Sequence, residues 1–206
     1  MTKILKENNM EVAQLLSSLA LLHPQRKPIS AALEADLRSI IKKRRYKKKQ
    51  LLLHEDQVPE QVWYIIKGTT RMYYYESETA REITTWFWHE GDFIIPLREF
   101  ITGHEHGENI ELLEDSLLLS IPIKELWPLC KKYPDYQILQ SIVLDINKAR
   151  AYTHLCRLLS LNSKQRYEKL VEEHKDIFSK AFVKDIACFL NVHPTYLSAL
   201  RTGRLR

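Results

Sequence analysis

Cysteine, glycine and long apolar runs are all scarce in this 206-residue chain. The three cysteines, Cys130, Cys156 and Cys188, are odd in number and widely spaced. That suits neither a disulfide framework nor a cysteine-rich metal or iron–sulfur site, so they read as reduced, mostly buried thiols. Five glycines and eight prolines exclude collagen-like and low-complexity classes. Apolar runs, such as 51–53, 62–66 and 117–119, are strand-sized. They fall far short of the roughly 20 residues a bilayer-spanning helix needs. The amino terminus has scattered charges and no uninterrupted apolar stretch before a small-residue cleavage site. It does not read as a signal peptide, and the cytoplasm is the expected compartment. A P-loop, a Gly-x-Ser-x-Gly elbow and a dinucleotide fingerprint are all missing, so no enzyme activity is expected.

What is present describes a packed, basic protein. Hydrophobic residues make up 45% of the chain, and 31 Lys and Arg outweigh 26 Asp and Glu for a net charge of +5. The length allows one large or two small domains. Their boundaries follow from changes in hydrophobic period. From Glu11 to about Ile41 two short amphipathic helices are separated by His23-Pro24-Gln25-Arg26-Lys27-Pro28, and the second carries Leu33, Leu37, Ile40 and Ile41. From Tyr46 to about Pro122 aromatic and β-branched runs punctuated by Gly68 and Gly91 predict short antiparallel strands in a roll, barrel or sandwich. A long helix then runs from Pro134 to about Leu161. Its Leu139, Ile142, Ile146, Ala149, Thr153 and Cys156 are spaced 3, 4, 3, 4, 3, as in a dimerising seam, while Ile138, Val143 and Leu144 form a second stripe toward the strands.

The final stretch, 162–206, is helical and holds the most informative motif. Ile186, Ala187 and Leu190 make a short apolar face, Asn191 suits a left-handed turn, and Pro194 starts a second helix bearing Leu197 and Leu200. This is a helix-turn-helix pattern, and a plain pair of helices with a basic tail shares the same spacing. Read as a DNA-binding unit, its candidate contacts are Lys184, His193, Thr195, Tyr196, Ser198, Arg201 and Arg204, with only Asp185 opposing the positive charge. Three other features invite chemistry. The Lys42–Lys49 run is either a patch for nucleic acid or membrane, or a solvated, charge-protected strand edge. The tryptophans and tyrosines of 73–75 and 86–88 either stack bases or fill a roll. His104, His106 and Glu111 are spaced like the first metal motif of a cupin, which makes a cupin-like metal enzyme the rival reading, although a second motif is missing.

The order of these parts resembles the Crp/Fnr family of bacterial transcription regulators. The resemblance rests on Val62 to Arg71 around Gly68, on Glu90-Gly91-Asp92-Phe93-Ile94, and on Asp185-Ile186-Ala187 to Leu197-Ser198. The segment 162–178 looks like the branch common in Bacteroidetes-type bacteria. The resemblance implies an α+β fold with three parts: N-terminal helices and an antiparallel, jelly-roll-like β-roll of the cyclic-nucleotide-binding type over 1–133, a dimerisation helix over 134–161 built on Leu139, Ile142, Ile146, Ala149 and Thr153, and a helix-turn-helix domain over 162–206. It further implies a homodimer on double-stranded DNA, with RNA polymerase as a partner. The effector pocket departs from the family. The Gly-Glu pair that takes the ribose falls on Ile95-Pro96, and the Arg-Ser/Thr-Ala that clamps the cyclic phosphate falls on His106-Gly107-Glu108. Arg98 is a candidate replacement charge. A neutral His in place of a bidentate Arg, with Glu108 alongside, argues against cyclic AMP. The expectation is therefore no cofactor, no metal, and an effector that is unknown or absent. With no cysteine before Cys130, an iron–sulfur sensor is excluded. On the recognition helix Thr195-Tyr196 and Ser198-Ala199 replace the usual base-reading Glu and Arg, so a different DNA site is expected.

Overall fold

The computed structural model describes residues 2–22, 29–96 and 107–204. Among these residues, helices α1 (Thr2–Leu22) and α2 (Ala31–Ile40) precede eight strands: β1 (Lys42–Tyr46), β2 (Leu51–Leu53), β3 (Gln61–Lys67), β4 (Thr70–Tyr75), β5 (Glu82–Trp88), β6 (Phe93–Ile94), β7 (Asn109–Leu112) and β8 (Ser116–Pro122). Then come α3 (Ile123–Lys132), the long α4 (Pro134–Ser160), α5 (Ser163–Glu173), α6 (Ile177–Lys180), α7 (Val183–Phe189) and α8 (Pro194–Arg201). The strands form two antiparallel sheets, β1-β8-β3-β6 and β2-β7-β4-β5. The two sheets close around a roll interior of Leu53, Trp63, Ile65, Trp88, Ile94, Ile110, Leu112 and Leu118.

Both faces of β3 and β8, the central strands of the first sheet, are buried, which explains their nearly continuous apolar sequences. Along β3, Trp63 and Ile65 point into the roll, while Val62 and Tyr64 point out. Leu118 and Leu119 divide in the same way on β8. The outward set meets Val12, Leu15, Leu16 and Leu19 of α1, Leu33 and Leu37 of α2, and Tyr136, Leu139 and Val143 of α4. Helix α1 starts at Thr2, nine residues before the expected Glu11, and Val12, Leu15, Leu16 and Leu19 form a buried face on it. Ser30 caps α2 by accepting the Leu33 N–H at 3.3 Å. The linker at 23–28 lies outside the described residues.

The basic run settles as an edge. Residues 42–46 are β1, the outermost strand of its sheet, where Lys43 pairs with Glu11, and beyond the strand Lys47 meets Asp115 at 2.9 Å. Such charge discourages pairing with another sheet. The β3–β4 turn depends on Gly68, whose φ is +132°. A Cβ there would fall 2.2 Å from Ser116 Oγ. Gly68→Ala is expected to destabilise the roll by about 2 kcal/mol, checked by denaturant titration, because both the dihedral and the contact are unfavourable.

Candidate nucleic-acid interface and effector pocket

The helix-turn-helix is built by local chemistry. Asn162 and Gln165 form a reciprocal capping box at the start of α5: the Gln165 N–H donates to Asn162 Oδ1 at 2.9 Å, and the Asn162 N–H donates to Gln165 Oε1 at 3.0 Å. Helix α7 ends in a turn where Asn191 takes φ +51° and the Val192 N–H returns to the Ala187 carbonyl at 2.9 Å. Pro194 then opens α8, with His193 Nδ1 accepting the Thr195 N–H at 3.3 Å. Ala187 is fully buried where α7 and α8 meet, packed among Ile186, Leu190, Leu197, Leu170 and Ile177.

That packing leaves one face of α8 outward. Thr195, Tyr196, Ser198 and Arg201 are exposed, as are His193 and Arg204 beside them. The Arg201 guanidinium lies 4.7 Å from the centre of the Phe178 ring, so its position is held. Two members of the expected charge pattern belong elsewhere. Lys184, expected on a phosphate, reaches Glu82 of β5 at 3.4 Å. Asp185, expected as an opposing surface charge, is buried and meets Arg71 of β4 at 3.0 Å. Both sit where α7 rests on the roll.

The docking is extensive. Phe87 and Leu113 point out of the second sheet and join the core of the C-terminal helices. Phe87 and Phe189 pack edge to face with ring centres 5.2 Å apart, and Trp86 meets His154 and Phe189 in the same manner. These aromatics fill interiors, as does Trp88 in the roll, and none is a base-stacking platform. Next to this contact, a groove of about 690 Å³ separates β5, α4 and α5. Asp92 accepts the His89 N–H at 2.9 Å and pairs with Arg150 of α4. Arg157 of α4 clamps Glu173 of α5 through two bonds of 2.6 and 2.5 Å. The His89 and His174 rings stack at 3.8 Å, and burial pushes both below the ordinary imidazole range, His89 to about 4. None of these bridges was read from sequence. A single arginine among the tyrosines of β4, and an Asp after Gly91, were the available signals.

The long helix corrects the expected seam by a partial rotation. Leu139 is buried against the roll and the other helices of its own chain, so it is not available to a second copy. Ile146, Ala149 and Thr153 line the groove, although Ala149 and Thr153 also reach solvent. The outward heptad is instead Ile138, Ile142, Asp145, Ala149, Tyr152, Cys156 and Leu159, spaced 4, 3, 4, 3, 4, 3 and exposed or half-buried throughout. Tyr152 is 68% and Leu159 80% exposed. Of the expected second stripe, Val143 and Leu144 do face the first sheet, lining a cavity with Val62 and Ile121, whereas Ile138 faces outward.

Of the expected effector residues, only Ile95, Pro96 and Gly107 are among the described residues. Ile95 packs with the helices outside the first sheet, beside Phe93 and Val62, because alternation along β6 turns Ile94 inward. Pro96 is buried and Gly107 exposed, while Arg98 and His106 lie outside the described residues. Glu108 accepts the Thr85 hydroxyl at 2.7 Å. The rival metal cluster loses its carboxylate, since Glu111 binds Arg71 at 2.7 Å, and His104 lies outside the described residues. Among the described residues no three ligands gather to hold a metal, and no helix is long and apolar enough to cross a membrane.

Residues 43–133 match the cyclic nucleotide-binding domain family. No curated protein matches the chain by sequence. Solved structures match it over most of its length. FixK2 from Bradyrhizobium japonicum superposes with a TM-score of 0.66 at 18% identity, covering 80% of this chain and 84% of its own. The c-di-GMP-responsive global regulator CLP of Xanthomonas campestris gives 0.65 at 14%, covering 85% and 91%. The catabolite activator protein of Thermus thermophilus gives 0.52 at 14%, covering 89% and 85%. Residues 43–133 are therefore similar to the cyclic nucleotide-binding domain family, in a chain whose fold is that of these structures and of a putative transcriptional regulator of the crp/fnr family from Eubacterium rectale.

Proposed function

We propose that the protein is a homodimeric, DNA-binding transcription regulator that works without cyclic AMP. The observation that carries this reading is the outward face of α8. Short polar groups stand at its amino end in Thr195, Tyr196 and Ser198, and cations follow at Arg201 and Arg204, on a helix held rigidly from behind. In a major groove the former meet base edges and the latter meet phosphates. The outward heptad of α4 supports dimerisation, because Tyr152, Leu155 and Leu159 expose apolar surface that a second copy would cover. Two recognition helices then address half-sites about 34 Å apart. RNA polymerase is the expected protein partner.

Two observations support independence from cyclic AMP. Ile95 turns outward, and laid along the family's motif the sequence has Pro96 in place of the ribose-binding carboxylate and Glu108 within the phosphate-clamping triplet. An effector, where one acts, has other chemistry. Selection of bound duplexes from a random library at two salt concentrations tests the reading. A two-fold motif is expected, and excess cyclic AMP is expected to leave its affinity unchanged. Arg201→Ala should weaken binding about tenfold and lower the salt slope by about 2, one phosphate per half-site. No salt-dependent affinity for any duplex would overturn the proposal.

A further inference from the structure

The β-roll and the helix-turn-helix bury charge between them that faces no DNA. Arg71 of β4 is 5% exposed and Asp185 of α7 is 2% exposed. The guanidinium reaches Asp185 at 3.0 Å, Glu111 of β7 at 2.7 Å and Glu82 of β5 at 2.9 Å, and it lies 4.2 Å from the centre of the Tyr73 ring. One cation thus ties three strands of the roll to the first helix of the DNA-binding unit. Lys184 adds a second, more exposed bridge to Glu82 at 3.4 Å.

Arg71 stands on the outer face of its sheet, with Tyr73 two residues along and Phe87 across the ladder. Its burial comes from α7 seated above it, since Phe87 and Leu113 on that face belong to the C-terminal core. Apolar contact alone holds two bodies together without fixing their angle, because it is non-directional. The guanidinium does set a direction: its bonds to Glu111 and Glu82 lock its plane on the roll, so that the remaining nitrogen, which makes no hydrogen bond, presents its charge to Asp185 from one fixed place. The arrangement is also intolerant of partial loss. Removing the cation leaves three carboxylates converging, one of them fully desolvated, and an unpaired buried charge is strongly unfavourable.

We infer that Arg71 is a positioning residue: it fixes the angle at which the helix-turn-helix rests on its own β-roll, so that any displacement of β4, β5 or β7 is passed to the recognition helix. The docking half of this inference stands on the contacts alone, and the half concerning DNA rests on the proposed function. Sensor and reader then form one body within each protomer, and the dimer's two recognition helices inherit their relative direction from the rolls.

The test uses the full-length chain with Arg71→Gln, Arg71→Lys and Asp185→Asn, and reads hydrogen exchange without DNA. In R71Q and D185N the amides of 183–189 are expected to exchange about tenfold faster or more, while those of 61–67 and 116–122 keep wild-type rates. R71K keeps the charge but lacks the fork, and should give an intermediate rate. Should R71Q unfold the roll, protection at 61–67 falls as well, and D185N, whose change lies outside the roll, decides. On the selected duplex R71Q should bind about tenfold more weakly with an unchanged salt slope, because no phosphate contact is lost. That separates it from R201A, which lowers the slope. Wild-type exchange at 183–189 in both R71Q and D185N overturns the docking role. Faster exchange with wild-type DNA affinity overturns the positioning role. If the wild-type protein binds no duplex, the proposed function fails, and the exchange data still decide whether Arg71 docks the two domains.

Discussion

Phe87→Ala is expected to destabilise the chain by about 3–5 kcal/mol and to split its thermal unfolding into two transitions. The side chain is 5% exposed, yet it belongs to a strand of the roll and to the core of the C-terminal helices at once. Next to it on β5, Trp88 fills the roll interior, so a truncation at 87 removes the shared wall and leaves the roll's own core intact. The cavity would open against Phe189, in the core that the roll and the helix-turn-helix share. Differential scanning calorimetry checks this directly. A control at Tyr74, exposed on the neighbouring β4, should stay within about 0.5 kcal/mol of wild type. A single transition with a loss below about 1 kcal/mol in F87A would mean that the two parts do not share a core.

The second large effect is on pH dependence. His89 and His174 stack across the groove between roll and α5, and burial holds His89 neutral down to about pH 4, with His174 shifted in the same direction. The surrounding charges divide. Asp92 and Asp176 favour the protonated rings, whereas Lys180 opposes it at His89 and Arg150 at His174. A histidine with a depressed folded value binds fewer protons folded than unfolded through the interval between the two values. Its stabilising contribution is complete above the ordinary 6.5 and is lost progressively as the pH falls toward about 4. For His89 the loss amounts to roughly 2 kcal/mol at pH 5 relative to pH 7.5. Denaturant midpoints at those two pH values, for wild type and His89→Gln, give the measurement. The variant should lose about that much less on acidification. An identical pH response in the two proteins would show that the His89 ring is not held neutral by the fold.

The parts legible from sequence are those settled over a few neighbouring residues. Asn191 and Pro194 shape the turn of the helix-turn-helix through their own dihedral preferences, Asn162 caps its helix through a hydrogen bond three residues away, and the run from Val62 to Ile66 declares a strand. Thr195, Tyr196, Ser198 and Arg201 are exposed as expected because the buried Leu197 and Leu200 dictate which way the others point. The general architecture follows from the same signals, since hydrophobic period distinguishes strands from helices before any partner is known.

What needed tertiary structure was every choice between equivalent faces and every partner far along the chain. The long helix carries apolar residues on more than one side, and only the packing of Leu139 and Val143 against the roll identifies Ile138, Tyr152 and Leu159 as the outward set. Asp92 meets Arg150 58 residues away, and Lys184 meets Glu82 across 102. A charged side chain looks the same in sequence whether it faces water, DNA or a buried counter-charge, because its hydration is decided by what folds over it. Residue types and local periods thus define the elements and the outward face of α8, and the seating of α7 on β5 decides that Asp185 and Lys184 belong to the junction between the two halves of the chain.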